Sequence, residues 1–350
     1  MPWNTPPEQT QWLVYRLGHL GDVVLSTGVL AHLHASRGWT FCVATGKGYG
    51  SLFSGLPGVR AVEEIGPQDT GSAANFAVRC KSLARTYAGW GLLDLHGSLR
   101  SRMLSWFWRG PVRRYPKSGL RRRLFLLSGK RVCGPALRVH SIAQRYYMAV
   151  CNPPPPAGEL LPHIALAATE RAWAQDRIES LFGPGACPVA FHPHATHALK
   201  TWPEEHWLRL AQLADSRKLP WISLGRGKAL FADRSNELSN KTSLRESCAL
   251  LSRCRVLLSG DSGPMHLAGA VGTPVIALFG PTTREWGFYP QGPQDIILER
   301  ELPCRPCSLH GRKPCPRMGQ CLAAITPEEV FAALQAPPPR RSAASAPSAP

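Results

Sequence analysis

Residues 254–282 read CRVLLSGDSGPMHLAGAVGTPVIALFGPT. Two runs in this stretch, 256–258 and 275–279, are apolar without the polar alternation of a half-exposed strand. Strands of that kind are covered on both faces, which means a parallel sheet between layers of helices. The residues between them suit the connection such a sheet demands. Ser259-Gly260-Asp261-Ser262-Gly263 is a polar turn, Pro264 suits the first position of a helix, and Met265, Leu267, Ala268 and Val271 give that helix its apolar side. Gly272-Thr273-Pro274 ends it. The stretch is a βαβ unit whose polar groups are confined to its loops.

The same pattern recurs along the chain. Residues 12–15 read as a strand, 16–22 as a glycine-bearing loop, 23–34 as a helix and 41–44 as the next strand, so the chain opens βαβ. The opening loop is not G-x-G-x-x-G, and a dinucleotide fingerprint is not supported. Residues 92–95 form a further strand that runs into a polar turn. The four prolines 153–156 make a stiff spacer with few hydrogen bonds. A second series of strands follows at 187–191 and 221–225. The chain of 350 residues suffices for two cores. The expectation is an α/β protein of two Rossmann-like doubly wound domains, residues 1–152 and 159–336, joined by a proline linker at 153–158. The remaining residues 337–350, all Pro, Arg, Ser or Ala, read as a disordered tail.

Charge separates the two halves. The formal net charge is +18, of which residues 1–150 carry +14. No acidic residue occurs between Asp94 and Glu159, while that window holds 13 Lys or Arg. A field of this kind implies an anionic partner: nucleic acid, an acidic membrane surface or a phosphorylated glycolipid. Within it, residues 102–131 interleave cations with Trp106, Phe107, Trp108, Tyr115, Leu120 and Leu124–Leu127. That composition suits a membrane-surface element, a site for single-stranded nucleic acid, or an amphipathic helix whose apolar side is core. The N-terminal residues do not read as a secretory signal, and no apolar run reaches the ~18 residues of a membrane span. The eleven cysteines do not form an extracellular disulfide pattern, which reads as a cytoplasmic chain.

The loops carry the candidate chemistry. A helix N-terminus at Ser262-Gly263 offers unpaired backbone N–H groups and a partial positive charge, a natural seat for phosphate. His266, one turn inside, either faces the same anion or packs. Asp22 stands where the first helix begins, where the ordinary duty of an aspartate is an N-cap. Asp94 is either a cleft residue or a buried carboxylate paired to a base. Lys200 is a loop cation, and Pro203-Glu204-Glu205 starts the helix after it. Cys304, Cys307, Cys315 and Cys321 have a spacing that can close a tetrahedral zinc or iron site, with free or redox-active thiols as the alternative.

The segments D-S-G-x-x-H-L-A at 261–268 and G-T-P-V-I-A-L-F-G-P-T at 272–282 resemble the C-terminal signature of glycosyltransferase family 9, the bacterial heptosyltransferases of the lipopolysaccharide inner core. Gly21-Asp22, the D-L-x-G segment at 94–97 with Ser101, and Thr196, Lys200 and W-P-x-E at 202–205 resemble further segments of that family. Similar cysteine clusters occur in its heptosyltransferase II branch. The resemblance implies a GT-B architecture, two domains facing across a cleft, and an inverting transfer from an ADP-heptose-type donor. Asp22 is then the general base and Lys200 the cation at the leaving diphosphate. Thr196, Asp261, Ser262, Gly263, His266 and Thr282 bind the donor, with Asp261 orienting its sugar or holding the loop. Gly21, His96, Arg100 and Ser101 meet the acceptor. No catalytic metal is implied, and any metal at the four cysteines is structural. The implied partners are a nucleotide sugar and an anionic, lipid-linked saccharide, met peripherally at the inner face of the inner membrane, without nucleic acid. Arg226-Gly227-Lys228 stands where many members carry an acid for the ribose. Another nucleotide sugar, or a non-catalytic polyanion binder of the same fold, is the alternative.

Overall fold

The computed structural model describes residues 9–335 except 308, 310–314, 316 and 318. The tail expected at 337–350 lies outside the described residues.

Two five-stranded sheets organise the chain, and every strand pairing within them is parallel. The first contains β1 (Gln11–Arg16), β2 (Thr40–Gly46), β3 (Val59–Ile65), β4 (Gly91–Asp94) and β5 (Val112–Arg114), in the order β3-β2-β1-β4-β5. The second contains β6 (Val189–His192), β7 (Trp221–Ser223), β8 (Val256–Gly260), β9 (Val275–Phe279) and β10 (Ile296–Glu299), in the order β10-β9-β8-β6-β7. The central strands are buried along their length, β8 and β9 at all five positions, as their unbroken apolar runs demand. Strand order reverses between β1 and β4 in the first sheet and between β6 and β8 in the second. Crevices outside the carboxyl ends of strands at such reversals are where open α/β sheets bind ligands.

The helix Leu20–Arg37 follows β1 and ends at Gly38, whose φ of +65° closes the C-cap with an N–H bond to the His34 carbonyl. It begins at Leu20 with His19 as N-cap, so Asp22 lies inside its first turn and does not cap it. Beyond the prolines the chain returns across this helix. Gly28 faces the carbonyls of Leu160 and Leu161, where an added Cβ would lie 2.1 Å from the Leu161 oxygen, and Thr27 Oγ1 accepts the His163 N–H at 2.9 Å.

Sequence order and packing part company at 119–147. The helix Gly119–Leu127 and the two short helices after it belong to the first half of the chain, yet they reach the turn Arg284–Trp286 of the second. Arg122 Nη2 donates to the Trp286 carbonyl at 2.8 Å, Arg145 Nη1 donates to the same oxygen at 3.2 Å, and Arg138 pairs with Glu285 at 2.6 Å. The Phe125 ring meets Trp286 edge-on. A second, longer tie joins the lobes where Arg245, paired with Glu170 and bonded to the Ala165 carbonyl, also donates to the Ser51 carbonyl at 3.4 Å.

Candidate active site

The carboxyl ends of β1, β4, β6 and β8 converge where the helix Leu20–Arg37 meets the helix Gly263–Ala270. The approach is close because glycines occupy the crossing. A Cβ at Gly21 would lie 2.7 Å from His266 Cδ2, and one at Gly263 would lie 2.7 Å from Leu20 Cδ2. Gly21 therefore forms the lobe contact.

Asp22 stands on the first-domain side of this contact. Its Oδ2 pairs with Arg16 Nη2 at 2.6 Å, and its Oδ1 accepts a hydrogen bond from the Tyr146 hydroxyl at 2.5 Å. Arg16 ends β1, is almost fully buried, and also donates to the Leu95 carbonyl. Tyr146 comes from the helix Ile142–Tyr147 and is buried, its ring edge-on to Tyr115 and under the Arg16 guanidinium. Burial pushes the Tyr146 hydroxyl well above its usual range, with Arg16 opposing and Asp22 adding, so it stays a proton donor to the carboxylate. A carboxylate has about four acceptor sites, and these two bonds leave capacity for a substrate hydroxyl.

Cations surround this carboxylate. Arg122 and Lys117 lie within its electrostatic reach, and burial lowers the pKa of both. His96 is half-buried with its ring edge-on to Tyr15, and burial followed by Arg16 and Lys117 pushes its pKa down to about 4. Its ring is neutral at physiological pH. Arg100 is exposed at the start of the helix Leu99–Phe107. Two sequence expectations resolve here. Asp94 is a structural carboxylate: fully buried, it accepts the N–H groups of His96 and Gly97 and the Nε–H of Arg114. Ser101 is not presented to a ligand, because it is buried and its hydroxyl is committed to the capping box with Ser98.

Across the contact lies the anion cradle. Ser262 is the N-cap of the helix Gly263–Ala270, but its hydroxyl turns to Ser259 and His192 and caps nothing. The first-turn amides thus keep their capacity for a ligand. Lys200 Nζ lies 2.5 Å from Asp261 Oδ2, and Thr282 Oγ1 donates to the same oxygen at 2.6 Å. Asp261 therefore holds its loop and positions Lys200, while Thr282, almost fully buried, serves Asp261. His266 is also buried, and desolvation pushes its pKa down to about 4 despite the opposing influence of Asp261 and Asp22. It is a neutral spacer between the lobes and adds no positive charge to an anion site. That it feels both carboxylates shows how near the two halves of the site stand.

A cavity of about 500 Å³ extends from the cradle. Ser262, Gly263, Thr196, His194 and Arg226 line its polar end, Leu224, Leu244, Leu251, Leu257 and Leu267 its apolar part, and Lys47 and Tyr49 reach it from the first domain. No Asp or Glu is among its lining residues. A polar end for phosphates continued by an apolar floor for a base is the usual form of a nucleotide site.

The segment that carries the four cysteines packs at the end of β9. Cys307 N–H donates to the Pro281 carbonyl, Cys321 lies beside Gly280, and Cys307 and Cys321 each feel Cys315. Burial raises the thiols of Cys307 and Cys321, which favours the neutral form. Among the described residues no group of three or more His, Cys, Asp or Glu stands close enough to hold a metal ion. The four-thiolate zinc or iron site is therefore not assembled in this arrangement.

Arg16, Tyr146, Arg122, Lys117 and Lys47 are site residues that the motifs do not name. A charged residue at the end of a buried strand was the available signal for Arg16; Tyr146 is 124 residues from Asp22 and offered none.

The chain is similar to known proteins. The lipopolysaccharide heptosyltransferase 1 of Pseudomonas aeruginosa is 32% identical over 138 residues, 35% of this chain and 37% of the relative. The lipooligosaccharide heptosyltransferase 2 of Haemophilus influenzae is 32% identical over 123 residues, 29% of this chain and 32% of the relative. The aligned part of the chain thus spans about a third of the length of these relatives. The solved Escherichia coli ADP-heptose LPS heptosyltransferase II, a GT-B protein, shares the fold with a TM-score of 0.67 at 21% identity, over 93% of this chain and 97% of that one. A family model for glycosyltransferase family 9 (heptosyltransferase) matches residues 83–314, well over half the chain. The protein belongs to glycosyltransferase family 9, and its two facing sheets are the GT-B fold.

Proposed function

We propose that the protein is an inverting glycosyltransferase that moves a heptose from an ADP-heptose-type donor to an anionic, lipid-linked acceptor of the lipopolysaccharide inner core. The observation that carries the reading is the meeting of a clamped carboxylate, Asp22, with an anion cradle and a lysine, Lys200, from the other lobe. The donor's base lies on the leucine floor, and its diphosphate lies against the amides of Ser262 and Gly263 beside Thr196, with Lys200 reaching it from its pair with Asp261. Asp22 takes the proton from the acceptor hydroxyl as it attacks the anomeric carbon from the side opposite the diphosphate. The amides and Lys200 stabilise the charge that develops on the leaving phosphate, so protein groups supply this stabilisation without a metal in the step. Arg100, Lys117 and Arg122 receive the acceptor's anionic groups, and the neutral ring of His96 offers the acceptor a hydrogen bond. No described helix is long and apolar enough to cross a membrane, and in this reading the enzyme works peripherally on the cytoplasmic face.

Arg226 and the acid-free lining support a second choice of donor, a nucleotide sugar whose ribose is not held by a carboxylate. Turnover of a panel of nucleotide sugars, followed by nucleoside diphosphate release, separates the two. Asp22→Asn should lower turnover by about a hundredfold or more with donor affinity kept, and Lys200→Ala should weaken both. Wild-type turnover in both variants would end the proposal.

A further inference from the structure

The helix Gly119–Leu127 is amphipathic in the wrong sense for a surface helix. Leu120, Leu124 and Leu127 recur at spacings of four and three, which puts them on one stripe, and they are 71%, 43% and 84% exposed. Arg121 and Arg123 flank the stripe and are exposed, and Arg131 and Val132 continue the exposed surface beyond it. The opposite stripe is fixed: Arg122 is bonded to the Trp286 carbonyl and Phe125 is packed on Trp286. The leucines therefore cannot roll inward without breaking the tie between the lobes.

From this we infer that the helix lies side-on against an anionic phospholipid bilayer. This deepens the reading above by naming the surface on which such an enzyme meets a lipid-linked acceptor. Charge complementarity selects the occupant. The window between Asp94 and Glu159 contains cations and no acid, so the stripe is set in a field that a negatively charged surface matches. A second copy of this chain would bring arginine against arginine. The stripe is also small: eight residues at 1.5 Å per residue and a helix width of about 10 Å give a face of roughly 120 Å², far below the ~800 Å² per partner of a stable protein interface. Leucines that enter the acyl boundary, beside arginines whose stems lie along it and whose heads stay at the phosphates, need no larger area. Because the inner face of the helix bridges the lobes beside Arg122, docking here sets the cleft next to the lipid surface.

The test is sedimentation of the full chain with vesicles of phosphatidylethanolamine and phosphatidylglycerol, compared with vesicles of phosphatidylcholine alone. Strong binding to the anionic vesicles only is expected, with weakening in high salt. Arg121→Ser with Arg123→Ser should reduce the partition by about thirtyfold, at about fivefold per arginine. Leu120→Ser, Leu124→Ser and Leu127→Ser together should reduce it by about tenfold or more. All five side chains are exposed, and unchanged thermal unfolding and ADP affinity would show that fold and donor site persist. Equal binding to both vesicle types, or wild-type binding by both variants, would overturn the assignment. So would a concentration-dependent dimer abolished by the leucine changes. Loss of ADP affinity in the wild type would instead strike the proposed function and leave the vesicle result standing.

Discussion

At the scale of single residues, the site depends on how one carboxylate is held. Asp22 was legible because it sits in a short local motif, and its neighbours were not, because Arg16 and Tyr146 reach it only through the tertiary fold. The helix-cap reading of Asp22 fails for a related reason. The helix starts two residues earlier, and the carboxylate is drawn sideways to a buried guanidinium. Tyr146→Phe removes one hydrogen bond to a charged acceptor while keeping the ring that packs on Tyr115. A bond of that type contributes about 1.5–3 kcal/mol, so turnover should fall roughly ten- to hundredfold with donor affinity unchanged. Steady-state kinetics separate this from a structural defect: an equal loss in donor binding would mean that Tyr146 holds the fold and does not position Asp22.

At the scale of elements, the central strands and the buried edge strand β7 were readable, and the other three edges were not. β1, β2, β6, β8 and β9 are apolar runs buried on both faces, the strongest signal a parallel sheet leaves in sequence. β3, β5 and β10 are sheet edges. They are short or charged, with Glu63 and Glu64 in β3 and two arginines in the three residues of β5, as exposed edges tend to be. The helix Gly119–Leu127 was ambiguous because its composition suits core and surface equally, and only packing shows that Phe125 is inside while three leucines are out. The first helix carries another feature hidden from sequence, the crossing at Gly28. A methyl there must displace the backbone at Leu161, so Gly28→Ala should destabilise by about 1–3 kcal/mol. A lowered urea midpoint with an unchanged slope is the expected signature, and an unaltered midpoint would mean that the crossing yields freely.

At the scale of the whole molecule, the site and core hold several histidines neutral. Desolvation pushes His192 down to about 3 and His266 to about 4, from an unfolded value near 6.5. Between those values the unfolded chain binds protons that the folded chain does not, so stability falls as the pH drops from about 6.5 toward 4 and is fully present above 6.5. Each buried ring contributes roughly 3 kcal/mol to that loss. Urea unfolding at pH 7 and pH 5, where the loss should reach about 2 kcal/mol per ring, checks this, and equal midpoints would show that the rings are not buried neutral. The charges that remain are therefore permanent ones, and the pair at the cradle has a consequence for turnover. Lys200 is paired with Asp261 at 2.5 Å. Where the donor's diphosphate lies against Lys200, as proposed, its departure returns that cation to a resident anion. In the proposed reaction the protein thus carries its own competitor for the product, which works against retention of the spent nucleotide.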